Sequence, residues 1–488
     1  MEDKILQARE EFNSILEFVT KKSGDLEIHQ VEEGIFRYLL GLGRILLEVF
    51  IGSVGTGKQG ERVVSEEGEE FRYLRDVPRQ YLSIFGKVLI LRAYYFKKGR
   101  GGTYPLDAKL NLPEQCYSYL LQKWMAGTGV RQTYQSAVQW VEEFLGLDIP
   151  HRGLERVIEN LRGMVNQFNE TLETPPPEEE GTILVQAVDG KGIPMCVKDR
   201  NPDAVKTPER PGKKKMACVA ATYSLLPFYR EAEHIVASLF RKDKAGSGKK
   251  RPSRCKPLHK RIVASLQEGK ASVFRQSESL AKARITENIQ EKVILIDGEI
   301  ALWKLAGKHF DGWTQIIDLI HVMEKLWIAA HQYHKKNSPE AEEYVKERVR
   351  LLLQGRLDWV LEDLEVSTKD GTLSRKRAAI VKSKVVGYFR RNAHRMRYDE
   401  YLKLGLPITT AIIESGCKNL INDRMERSGM IWSSDGAEAM LKVRSMLLQG
   451  TWNEFWEHRI QTERERRYQD SAYLSENHAS QPNLARAA

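Results

Sequence analysis

Ile183-Leu184-Val185-Gln186-Ala187-Val188-Asp189-Gly190-Lys191-Gly192 is the stretch that decides the fold. A short apolar run closed by a carboxylate and two glycines is the pattern of a strand buried on both faces. Gly190-Lys191-Gly192 then predicts a turn, with Ile193-Pro194-Met195-Cys196-Val197 as a return strand. Met216 to Leu225 predicts a third strand and Ser265 to Gln290 a mainly helical stretch. Val293-Ile294-Leu295-Ile296 predicts a fourth strand that again ends on an aspartate, in Asp297-Gly298-Glu299, and Trp313 to Leu319 a fifth.

Strand–strand–strand–helix–strand–helix order makes the fold class α/β, with a ribonuclease-H-like mixed sheet as the core. That core is expected over 181–319 plus 406–460, interrupted by a helical insertion at 320–405 that is rich in both charges. Thr174-Pro175-Pro176-Pro177-Glu178-Glu179-Glu180 is the clearest boundary: prolines cannot continue a helix and the acidic run is expected to stay solvated, so 175–180 reads as a linker.

Upstream, residues 1–79 read as a helical N-terminal region with a mobile glycine- and glutamate-rich loop at 52–70, and 80–112 as a β-hairpin. Residues 113–174 are helical and contain a helix-turn-helix candidate. A first helix through Val138, Val141, Phe144 and Leu145 stops at Gly146, and a second starts near Pro150-His151-Arg152 with Leu154, Val157, Ile158 and Leu161 as its apolar face. Such a unit would turn Arg152 and Arg156 toward a DNA groove; two helices packed without DNA contact fit the pattern equally. Residues 461–488 are polar and are expected to be a disordered tail.

The chain has 488 residues, 41% hydrophobic and 29% charged, which suits several globular domains. It has no apolar run of about 18 residues and no basic flank at Met1-Glu2-Asp3-Lys4, so neither a membrane span nor a secretory signal is expected and the setting is cytoplasmic. Its five cysteines are scattered, which excludes a paired-cysteine zinc site. A net charge of +10, with basic clusters such as Lys213-Lys214-Lys215 and Lys249-Lys250-Arg251, favours a polyanionic partner.

Asp189 and Asp297 at strand ends, and Glu414 on a predicted helix from Ile412 to Met425, form a set that could hold two Mg²⁺ ions, with Mn²⁺ able to substitute. A pair of ions roughly 3.5–4 Å apart can activate an oxygen nucleophile and neutralise a pentacovalent phosphate. Any chain with 66 acidic residues contains many such triplets, so the placement on strand ends and a helix carries the weight.

Asp189-Gly190-Lys191-Gly192-Ile193-Pro194-Met195, Ile296-Asp297-Gly298, and Ile413-Glu414-Ser415 through Arg424-Met425-Glu426-Arg427-Ser428-Gly429-Met430-Ile431-Trp432 resemble bacterial insertion-sequence transposases of the DDE class, of the ISKra type. The similarity continues through Gly436 to Arg444 and Trp452. It implies a DDE triad on Asp189, Asp297 and Glu414, and cleavage at element ends followed by strand transfer. Implied partners are terminal inverted repeats bound by the N-terminal region, target DNA, and at least a second copy of the chain, in a nucleoid-associated complex. A structure-selective nuclease of the same superfamily, or a DNA-binding protein without catalysis, are the alternatives.

Further candidates surround the triad. His321, in Ile317-Asp318-Leu319-Ile320-His321, could contact the scissile phosphate; Asp318 and His321 could equally be a helix cap and a core histidine. Lys191, Lys418, Arg424 and Arg427 are candidate DNA-backbone contacts, and Trp432 could stack on a base or sit in a core. The hairpin Ala93 to Asp107 resembles a family segment that often carries paired cysteines, which are absent here. Gly52-Ser53-Val54-Gly55-Thr56-Gly57-Lys58 matches a phosphate-binding loop, but Gln59 replaces the hydroxyl that would meet Mg²⁺, and no strand-to-helix context surrounds it.

Overall fold

In the computed structural model Ile183–Pro194 is one unbroken strand, β5 in chain order, at the centre of a five-stranded sheet. The description covers residues 2–22, 24–65, 68–200, 213–240, 256–410 and 418–468. Gly190-Lys191-Gly192 is therefore not a turn. Its backbone pairs with the neighbouring strand β6 (Lys214–Leu225), Gly190 opposite Cys218 and Gly192 opposite Met216. A Cβ on Gly192 would stand 3.1 Å from the Lys214 side chain, so glycine here serves a close cross-strand approach.

The sheet order is β7-β6-β5-β8-β9, with β7 Leu258–Ser265, β8 Glu291–Ile296 and β9 Thr314–Ile317. β6 pairs antiparallel with both β5 and β7; β8 runs parallel to β5, and β9 parallel to β8. This mixed α/β arrangement is compatible with a ribonuclease-H-like core. β7 begins in a polar, lysine-rich stretch and was not anticipated; with β5 continuous, it supplies the fifth strand. The helix after it runs only over Gly269–Ala283.

The chain forms two compact units, Met1–Met164 with Trp452–Ala488, and Val165–Thr451. The first holds an antiparallel sheet, β1 (Arg62–Val64), β2 (Glu70–Ser83), β3 (Gly86–Lys97) and β4 (Gly101–Thr103). Its hairpin thus starts before residue 80, and the glycine-rich segment expected to be a loop contributes β1. The phosphate-loop look-alike lies at the C-terminal end of the helix Ile28–Val54, where the helix dipole is negative and disfavours phosphate. Lys58 there pairs with Glu61 at 2.9 Å and lies over the Tyr73 ring.

The helix pair forms as expected. Tyr134–Leu145 is capped by Thr133 and ends at Gly146 with φ 66°. His151–Thr171 buries Leu154, Val157, Ile158 and Leu161, but Phe144 stays 44% exposed. The last helix, Trp452–Tyr468, extends into the stretch expected to be a disordered tail: the Tyr468 hydroxyl donates to the Leu112 carbonyl at 2.8 Å, and Arg459 and Glu463 are buried. Residues 469–488 of that expected tail lie outside the described residues.

In the second unit, Glu178 and Glu179 of the proline segment are exposed as expected, but the third acid is not. Glu180 is buried and receives two bonds from Arg284, at 2.6 and 2.7 Å. The insertion after β9 is built of helices joined by turns, beginning with Leu319–Tyr333 and Pro339–Leu353 and ending with Gly387–Asn392 and Tyr398–Lys403. The helix Ser434–Gln449, capped by Ser433, packs on β7, where buried Glu438 accepts from the N–H groups of Leu266 and Gln267 and from the Ser265 hydroxyl.

Candidate metal centre

Val188 and Ile296 form the last parallel rung between β5 and β8. Asp189 and Asp297 are the next residues on each chain segment, so sheet register alone sets the two side by side. From β5 the chain leaves to β6 on one side and returns as β8 on the other. Beyond the Val188–Ile296 rung β8 ends, and β5 continues paired with β6 alone.

His321 completes the cluster. It sits in the first turn of Leu319–Tyr333, whose N-cap is Asp318. Asp189, Asp297 and His321 each place one ligand atom so that all lie within 4.8 Å of one another, and all three are half-buried. The Gly190 N–H donates to Asp189 Oδ1 at 2.7 Å, and the Glu299 N–H to Asp297 Oδ1 at 2.8 Å. Trp303 Nε1 donates to the Asp297 carbonyl at 2.6 Å, which fixes the backbone of that corner. His321 Nδ1 lies 3.2 Å from Glu324; with the proton on Nδ1, Nε2 carries the ligating lone pair, the usual support for a metal-bound histidine.

The electrostatics describe a site short of positive charge. Burial pushes the Asp297 carboxyl above the usual aspartate range; the Glu299 N–H and His321 oppose this, while Asp189 and Glu299 add to it. For His321, burial disfavours the imidazolium, but Asp318, Glu324 and Asp297 outweigh it and raise its pKa. Beside them the buried Cys218 thiol is pushed up to about 12, by burial first, so it stays protonated and is no soft ligand at neutral pH.

Asp318 has a purely structural place. It is fully buried and accepts from the Ile320 N–H at 2.5 Å, from the Thr410 N–H at 2.6 Å and from the Thr410 hydroxyl. It ties the start of the His321 helix to the segment at 408–410, and so positions His321 rather than joining it. Lys270 and Glu299 form an ion pair next to the cluster. Glu299 was visible as the last letter of Asp297-Gly298-Glu299; nothing in the local sequence marks Lys270.

The remaining candidates divide. Glu414 lies outside the described residues, and of Lys418 only the backbone is described, in the turn Lys418–Asn422. Lys191 is half-buried on β5, on the same strand face as Asp189. Arg152, Arg156 and Arg427 are exposed. Two candidates are packed inside. Arg424 is 1% exposed and lies 5.1 Å from the Trp432 ring, so it is a core cation and not a backbone contact. Trp432 is buried, donates to the Met425 carbonyl at 3.0 Å, and through its own backbone extends the β5 edge at Pro194 and Cys196, which leaves no face for a base.

No protein-family model and no curated protein matches the chain. Among solved structures it is similar to a chain described as "Drosophila P element transposase strand transfer complex", at 10% identity over 70% of this chain and 94% of that one, with a TM-score of 0.32. A likeness of that size supports no argument about function. Among the described residues, no helix is long and apolar enough to cross a membrane.

Proposed function

We propose that the chain is a metal-dependent DNA transposase, which cuts strands at the ends of an element and joins the freed 3′-hydroxyl to target DNA. The observation that carries the proposal is the convergence of Asp189, Asp297 and His321 within 4.8 Å where the parallel pairing of β5 and β8 ends. Two carboxylates held this close, one with its pKa raised partly by the other, favour a divalent cation between them. Asp189 and Asp297 would hold it through oxygen and His321 through nitrogen. Glu414 is the candidate for a second ion. When bound, such ions polarise the phosphoryl oxygen and activate a water or a 3′-hydroxyl. An imidazole in the set makes Mn²⁺ a better fit than a site of oxygens alone would be.

The chain's own part is to orient these groups. The N–H groups of Gly190 and Glu299 hold the carboxylates, and Asp318 and Glu324 hold His321 in place. The step from phosphodiester chemistry to transposition rests on the motif resemblance through Asp189, Asp297 and the Arg424–Trp432 block. Exposed Arg152 and Arg156 would bind the element ends, and two copies would be needed to pair them. The test is strand cleavage of end-containing DNA with Mg²⁺ or Mn²⁺: Asp189→Asn should abolish cutting while leaving DNA binding intact. Undiminished cutting by that variant rejects the proposal.

A further inference from the structure

The helical insertion presses one aromatic ring onto the corner that carries Asp297. Tyr388, in Gly387–Asn392, packs so tightly over Gly298 that a Cβ there would fall 2.1 Å from Tyr388 Cε2 and 2.4 Å from its hydroxyl oxygen. The residue is 7% exposed and its hydroxyl is buried with no hydrogen-bond partner among the described residues. Neighbouring phenols of the same insertion are treated differently. Tyr398 donates to the Ile317 carbonyl at 2.9 Å and Tyr401 to the Gln315 carbonyl at 3.2 Å, anchoring the insertion on β9. Tyr333 and Tyr344 stack on each other with centroids 5.3 Å apart, away from the cluster's own corner. Tyr388 is the unmatched donor that lies against the metal-binding corner.

A buried hydroxyl without a partner is disfavoured, and native proteins retain few of them. Such a group signals a missing acceptor. Burial, then the negative charges of Asp297, Asp318 and Glu324, keep the phenol protonated and so a donor.

We infer that Tyr388 donates its hydrogen bond to an oxygen ligand of the Asp189–Asp297–His321 centre, so that the helical insertion completes the site and does not merely flank it. The acceptor is either water on the bound cation or a non-bridging oxygen of the DNA phosphate. This rests on the proposal that the cluster is a metal centre. Gly298 is then glycine because the ring must lie against it.

The experiment compares Tyr388→Phe with Tyr398→Phe and wild type. Tyr388→Phe keeps the ring and removes only an unsatisfied hydroxyl, so its melting temperature should equal or exceed that of wild type. Tyr398→Phe removes a satisfied hydrogen bond, so it should melt lower but cut normally. For Tyr388→Phe, kcat for DNA cleavage should fall about ten- to a hundredfold. Mn²⁺ affinity measured without DNA, and affinity for an oligonucleotide duplex with Ca²⁺, assign the acceptor. A loss in the first identifies metal-bound water; a loss only in the second identifies the phosphate. Unchanged Mn²⁺ affinity, duplex affinity and kcat overturn the inference, as does an equal kinetic loss in Tyr398→Phe, which would mark a structural role. If wild type cuts no DNA, the proposed function falls, and Mn²⁺ affinity together with duplex affinity in Ca²⁺ still decides for or against Tyr388.

Discussion

Two acidic sites lie along the central strand β5, one buried and one half-buried, and they are built on opposite terms. Ahead of its start, Glu180 meets Arg284 in a two-pronged ion pair and also accepts from the Ser224 hydroxyl. Burial opposes ionisation there, but Arg284 and Ser224 outweigh it and hold the Glu180 carboxyl below the usual range. At the parallel end of the strand, Asp297 shares its space with Asp189 and is pushed above the usual range. The protein supplies its own counter-charge at the first site; at the second it supplies backbone N–H groups and one imidazole. A carboxylate that stabilises a fold is matched internally, whereas one that binds a cation is left short of positive charge.

The sharpest way to break this contrast is to neutralise one acid at each site. Asp189→Asn should lower strand cleavage about a thousandfold, the equivalent of several kcal/mol of lost metal-ion stabilisation, without lowering the melting temperature of the cation-free protein. Glu180→Gln should do the reverse: cleavage per folded molecule is retained, but denaturant unfolding should show a loss of about 3–5 kcal/mol because Arg284 is left buried without its counter-charge. Equal stability losses in both variants would erase the distinction.

Cation titration sharpens it. With Mn²⁺ at about 100 times its dissociation constant, wild type should gain about 2.7 kcal/mol, and Asp189→Asn or His321→Ala much less. The gain should grow from pH 6 to pH 8, because His321 must lose its proton to bind and its pKa is raised. Calorimetry in two buffers of different ionisation enthalpy should detect the proton released.

The same pH series distinguishes the two acids in the cation-free protein. The lowered pKa of Glu180 contributes stability that is present above the unfolded value near 4.5 and is lost as pH falls through the folded one, so Glu180→Gln should converge on wild type in acid. The raised pKa of Asp297 has the opposite sign: its favourable contribution is full below 3.8 and is lost as pH rises through the folded value. Asp297→Asn should therefore match wild type in acid and be the more stable of the two at neutral pH.

The smallest effect concerns cations and not acids. Arg152 and Arg156 are exposed where Arg284 and Arg424 are buried. Each single Arg→Ala change should leave folding intact and reduce the salt slope of DNA binding by about one. A slope that does not move removes the helix pair from the DNA-binding surface.

Composition and local pattern made much of this legible. The apolar runs ending on Asp189 and Asp297, Gly146 after one helix and Pro150 before the next, and the helical insertion all follow from local periodicity and cap chemistry. The two aspartates were legible as candidates because each closes an apolar run of its own. The long continuation of β5 through Gly190-Lys191-Gly192 was not, since a glycine pair looks like a turn until β6 is known to lie beside it. β7 escaped notice for a related reason: its polar first half is a strand only through its ladder with β6.

The sequence by itself singled out Asp189 and Asp297 and determined which segments had to be buried, because hydrophobic period and residue chemistry act over a few neighbours. Only tertiary structure decided that His321 joins the two aspartates while Asp318 holds the helix start, that Arg424 and Trp432 are packed inside, and that Tyr388 arrives from the insertion against Gly298. Those outcomes depend on contacts between segments far apart in the chain, and such contacts leave no mark on local periodicity.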